Sequence, residues 1–164
     1  MSDMLVNLMT LPSCDELCLK LEKEENVVIR RGFVPDMYRV LEFVEKNSGL
    51  SAKGECAVCF AKQPTTCFIA TRYDEILGYA CFDATTRDYF GPTRVLETER
   101  GKGIGKALLI RSLEAMKEMG YVYAVIGFVG PVAFYEKSVG AFMIPNSYPG
   151  PYKDMLSLNK KEEE

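Results

Sequence analysis

The sequence predicts an α/β domain built on a mixed, mostly antiparallel sheet with helices on both faces. Three observations predict it. Strand-like runs at 66–71, 76–83 and 89–98 follow one another through short polar turns, the pattern of an antiparallel meander. An amphipathic stretch, 103–119, leads into 121–128, which is apolar at nearly every position, as a strand covered on both faces must be. The chain has 164 residues, 48% hydrophobic and 26% charged, enough for one core that buries about 70% of the unfolded surface.

Leu5 to Leu11 reads as a short strand, and Ser13 with Glu16 forms a capping-box pattern ahead of Leu17, Cys18 and Leu21 on one helical face. Residues 1–26 are set apart as a strand-helix appendage, and the domain proper runs over 27–164. Its first strand is Val27 to Arg31. Pro35-Asp36 then opens a helix with Met37, Val40, Leu41 and Val44 at core spacing, and Asn47-Ser48-Gly49 ends it. A second helix covers Ala52 to Lys62, with Cys56, Cys59 and Phe60 inward and Pro64 as its stop. Tyr73-Asp74-Glu75 and Thr85-Thr86-Arg87 are the turns of the meander. In the helix from Gly103 to Met119, Leu109, Leu113 and Met116 form one stripe and Gly120 ends it. A short helix follows Gly130-Pro131 through Lys137, and two late strands flank the loop Pro145 to Pro151. The charged tail Lys160 to Glu164 reads as solvated.

Composition excludes several classes of chemistry. A net charge of -3 provides no basic excess for a nucleic acid. The absence of His removes the imidazole base, the Ser-His-Asp triad and the His-ligated metal, so protons must move through Glu, Asp, Tyr, Cys, Lys or water. No basic segment followed by a long apolar one opens the chain, so neither a signal peptide nor a membrane span is expected, and the six Cys are expected as reduced thiols in a cytoplasm. Cys56-Ala57-Val58-Cys59 has redox or zinc spacing, with Cys14 and Cys18 available to complete a four-thiolate set. Spacings so unequal, without knuckle-like Gly or Pro, favour plain packing and no metal.

Arg100-Gly101-Lys102-Gly103-Ile104-Gly105-Lys106 stands between a strand and the strongest helix of the chain, where unpaired N–H groups and the helix dipole favour an anion. A P-loop ending at Gly105-Lys106 needs Gly at Arg100 and Ser or Thr at Ala107, and a dinucleotide loop from Gly101 needs Gly at Lys106. Neither fits. The segment resembles Arg/Gln-x-x-Gly-x-Gly/Ala, the pyrophosphate motif of the GNAT superfamily of acyl-CoA N-acyltransferases, through Arg100, Gly103 and Gly105. Phe134-Tyr135-Glu136-Lys137 with Gly140 resembles the Tyr-Glu-Lys-x-Gly-Phe signature of the same family, one residue longer and with Ala141 in place of Phe. The order of elements from Val27 to Leu158 is also similar to that domain.

The resemblance implies a fold splayed between the domain's fourth and fifth strands and an N-acetyltransferase that uses acetyl-CoA. The backbone of Gly101, Lys102, Gly103, Ile104, Gly105 and Lys106, with Arg100, would hold the pyrophosphate, and Thr93, Arg94 and Val95 the pantetheine. Phe90-Gly91-Pro92-Thr93 supports a break there independently, because a central paired strand tolerates Gly and Pro poorly. Tyr135 is the candidate general acid. For a base, Asp83, Asp88, Glu97, Glu99 and water stay open. The acceptor, a small-molecule amine or an exposed amino group of a protein, would lie between 47–53 and 145–152; a homodimer is left open. A coenzyme A-binding module without turnover is the alternative.

Overall fold

A computed structural model of the chain describes residues 1–156. The strands are β1 (Met4–Asn7), β2 (Val28–Arg31), β3 (Cys67–Arg72), β4 (Glu75–Phe82), β5 (Tyr89–Val95), β6 (Tyr123–Ile126) and β7 (Phe142–Met143); the helices are α1 (Asp15–Glu25), α2 (Met37–Phe60), α3 (Ile104–Glu118) and α4 (Val132–Val139). All seven strands belong to one sheet, in the order β2-β3-β4-β5-β6-β1-β7. The expected meander is present as the antiparallel run β3 to β5, β2 extends it by pairing antiparallel with β3, and β5 beside β6 is the single parallel pair among the described residues.

Strand alternation sorts the core onto two faces. Cys67 and Ile69 of β3 and Tyr79 and Cys81 of β4 meet Val40, Val44, Cys56 and Phe60 of α2. Phe68, Ala70, Ala80 and Phe82 point the other way, into a larger cluster with Leu108, Leu109 and Met116 of α3 and Leu21 of α1. The sheet is therefore covered on both faces, as its apolar strands require. None of the described helices is long and apolar enough to cross a membrane.

Several expectations change. Residues 1–26 are not an appendage outside the domain. β1 lies between β6 and β7, paired antiparallel to both, and Met4, Val6 and Leu8 are fully buried in the larger cluster. The strand is also shorter than Leu5 to Leu11, because the chain turns into a 3-10 segment at Leu8–Thr10. The capping box does not form. Ser13 stands one residue before the cap position, Cys14, and its Oγ accepts from the Asp15 N–H at 3.2 Å.

The two helices expected around Asn47-Ser48-Gly49 join in α2 across one non-helical residue, Gly49 (φ 90°, ψ 179°), a conformation that a residue lacking Cβ adopts at little cost. Of the two late strands, β7 is present, while residues 150–152 form a 3-10 turn and 153–156 no strand. The remainder of the second strand and the charged tail lie outside the described residues.

Candidate active site

β5 and β6 pair only at Tyr89 with Val125 and Phe90 with Ile126. Beyond Phe90, β5 remains bonded to β4 alone, through Thr93, Arg94 and Val95, and Gly91-Pro92 occupy the irregular step between the pairs Phe82–Phe90 and Ala80–Thr93. The donor-less Pro and the side-chain-less Gly thus sit where pairing to β6 stops. What remains is a strand edge with unused N–H and C=O groups, a template for an extended polar ligand.

A cavity of about 760 Å³ opens along that edge. Thr93, Arg94 and Val95 line one side, Arg100, Gly101, Gly103, Ile104, Gly105 and Lys106 a second, and Phe134 and Tyr135 of α4 a third. Of the residues expected at a pyrophosphate and pantetheine site, Lys102 alone is absent from this lining. Its ammonium is drawn away to Glu99 (2.8 Å) and Glu25 (3.3 Å).

The head of α3 has the donors an anion needs. The first amide in this stretch to reach a carbonyl is that of Ala107, which donates to Gly103 at 3.0 Å. The N–H groups from Gly101 to Lys106 have no protein acceptor among the described residues, and they gather where the helix dipole is positive. Gly103 holds φ 96° as it enters the helix. Behind the loop, Arg72 clamps Glu99 through two bonds, 2.6 and 3.1 Å, and Lys102 adds a third, which together hold the Glu99 carboxyl down at about 2. Glu99 is therefore a fixed anchor for the loop and a poor proton acceptor, although it lines the cavity.

A second cavity, of about 420 Å³, shares Phe90, Thr93, Pro131 and Tyr135 with the first, so the two meet at Tyr135. This phenol is buried, flanked edge-on by Phe90 (6.3 Å) and Phe134 (5.0 Å), and its hydroxyl has no hydrogen-bond partner among the described residues. Burial pushes it up to about 12. The phenol therefore keeps its proton at neutral pH, the state a proton donor requires.

The other carboxylates expected near the cleft lie elsewhere. Asp83 is buried, accepting from the Asp88 N–H (2.7 Å) and the Tyr121 hydroxyl (2.9 Å). Asp88 has one oxygen buried without a partner, and desolvation, with the Asp83 charge, raises it to about 6. Neither lines either cavity. Glu97 is 81% exposed and faces Arg100 at 3.8 Å.

Sequence reasoning missed Glu55. It projects from α2 into the second cavity, where the Thr85 hydroxyl donates to it. The only signal was its position next to the inward Cys56. Ser51 and Tyr152, from the two segments expected at the acceptor, also line that cavity, whereas Tyr148 is exposed and Asn47 belongs to a separate groove.

Cys56, Cys67 and Cys81 have sulfur atoms within 4.8 Å of one another, spacing that a thiophilic ion could bridge, but they are fully buried behind β3 and β4 and line neither cavity. Cys14 and Cys18 sit together in the other core cluster, so they cannot complete a site with Cys56 and Cys59.

Comparison with known proteins places this architecture. A search of curated proteins finds no match. A fungal structure, the GCN5-related glucosamine N-acetyltransferase region of a multi-domain GH3 beta-N-acetylglucosaminidase, superposes with a TM-score of 0.68 at 16% identity, covering 87% of this chain and 19% of that one. A GCN5-related N-acetyltransferase from Sphaerobacter thermophilus gives 0.61 at 21%, covering 87% and 48%. This chain thus spans about half or less of the length of either, and at such identities the likeness establishes the fold. The model of the Acetyltransferase (GNAT) family matches residues 34–141, from the turn before α2 to the end of α4. With that match over more than half its length, the chain belongs to the GNAT acetyltransferase family.

Proposed function

We propose that the protein transfers an acetyl group from acetyl-CoA to a primary amine. One observation carries this reading: the run of unpartnered N–H groups from Gly101 to Lys106 stands beside the unpaired edge of β5 in one cavity. A diphosphate fits the first feature and an extended chain of amides the second, and coenzyme A carries both in that order. Arg100 and Lys106 add positive charge at the same end. Bound there, the donor supplies an activated thioester at the junction of the two cavities.

The amine enters from the second cavity. Its ammonium first gives one proton to water in the open cleft; the neutral nitrogen then bonds to the acetyl carbon, the carbon–sulfur bond breaks, the departing sulfur takes the proton of Tyr135, and the second proton lost by the nitrogen returns through water to the Tyr135 phenolate. Products are an N-acetyl amine and free coenzyme A.

Titration calorimetry with acetyl-CoA, coenzyme A, ATP and NADH tests the donor site. Micromolar binding confined to the coenzyme A species, followed by acetylation of an added amine, is the expected outcome. Binding of ATP or NADH alone overturns the reading.

A further inference from the structure

The second cavity carries information about the acceptor. Glu55 is the only charged side chain of its lining among the described residues. Three other glutamates are ion-paired, Glu99 with Arg72 and Lys102, Glu114 with Arg111 and Glu45 with Lys53, while the buried Asp3 and Asp83 are satisfied by N–H and hydroxyl donors. Glu55 has no cationic partner among the described residues and is oriented by the Thr85 hydroxyl alone. A half-buried carboxylate with no counter-charge, in a cavity otherwise lined by neutral groups, favours a ligand that brings one.

The walls say what the rest of that ligand resembles. Phe90, Pro92, Phe128 and Tyr152 present rings, with Phe128 and Tyr152 5.2 Å apart between centroids. Among the described residues neither Lys nor Arg lines the space, so an acceptor carrying a carboxylate or phosphate meets no compensation there and is repelled by Glu55. Besides Glu55 the polar side chains of the lining are the hydroxyls of Ser51, Thr85, Thr93, Tyr135 and Tyr152, of which Thr85 and Thr93 already donate to Glu55 and Tyr79, fewer free partners than the hydroxyls around a sugar ask for.

Resting on the acetyl-transfer reading above, we infer that the acceptor is a small primary amine with an apolar aromatic body and no acidic group, an aryl-alkylamine, whose ammonium is held by Glu55.

The test compares phenethylamine with phenylalanine, which adds one carboxylate to the same skeleton, and with glucosamine and spermidine, at fixed acetyl-CoA. Phenethylamine is expected to be acetylated with kcat/KM at least about 10-fold above each of the others. Glu55→Gln is expected to raise its KM about 10- to 100-fold, the scale of a lost charge-assisted bond, with partial recovery in Glu55→Asp and an unchanged acetyl-CoA Kd. Preference for phenylalanine or glucosamine, or a Glu55→Gln enzyme with unaltered KM, overturns the inference. Should acetyl-CoA not bind at all, the transfer reading fails by itself. Calorimetry of phenethylamine against the wild-type and Glu55→Gln chains then decides the acceptor class without turnover: binding weakened by the substitution sustains it, and equal or absent binding overturns it.

Discussion

Tyr135 is held by ring contacts and its hydroxyl bonds to none of the described residues, so the hydroxyl can be removed without touching the contacts that hold the ring. Tyr135→Phe is expected to leave the melting temperature and the acetyl-CoA Kd unchanged while kcat falls about 100-fold or more, the usual scale for a lost general acid. Asp88 gives a prediction with pH. Its native carboxyl titrates near 6 against an ordinary 3.8, so the folded state prefers the proton, and stability is lost as pH rises between those values. Asp88→Asn, compatible with the φ of 65° at this position, is expected to melt higher than the wild type at pH 8, with the difference closing below pH 3.8. Legibility differed among single residues for a physical reason. The position of Tyr135 beside the cavities could be expected because the surrounding segment carries the signature, whereas Glu55 reaches the second cavity only when α2 packs near Thr85 and Tyr152, contacts remote in sequence.

At the scale of elements, the head of α3 separates two glycines that look alike in the motif. A Cβ at Gly103 would lie 2.8 Å from Leu17 and need φ 96°, so any substitution there strains α1 against α3 and tests stability more than binding. At Gly105 a Cβ meets Phe134 and Val95 at 3.7 Å, an ordinary contact at the cavity wall. Gly105→Asp is therefore expected to fold with a melting temperature near that of the wild type and to lose acetyl-CoA binding by at least about 10-fold, because its charge opposes the phosphates at the dipole end. Calorimetry and thermal melts on one sample check both parts. Elements with a local stop were read nearly to the residue: α3 runs Ile104–Glu118 against an expected 103–119, and the α2 break falls on Gly49 as expected. The failures, such as the cap of α1, came where one residue of shift changes which side chain reaches which N–H.

At the scale of the whole molecule, the N-terminal strand completes the sheet. Leu8 is fully buried, so Leu8→Ala is expected to cost about 2–5 kcal/mol in denaturant unfolding although it lies far from the cleft. This is what local patterning could not convey, because pairing between Met4 and Ile126 leaves no trace in the spacing of either segment. Asp3, just ahead of β1, extends the same tie to the second cavity: its carboxylate takes the Phe128 N–H at 2.9 Å and the Tyr89 hydroxyl at 3.2 Å, and its own N–H reaches Ser147 at 2.8 Å. The wall around Phe128 is thus pinned from the far end of the polypeptide. During synthesis β1 is made more than a hundred residues ahead of both strands it joins, while the antiparallel run from β2 to β5 can assemble from neighbours as they appear. Closing so long a loop comes late, and the residues around Phe128 stay without their anchor until it does. The strands β2 to β5 pair with chain neighbours, whereas the wall of the second cavity around Phe128 takes its anchor from a segment more than a hundred residues away.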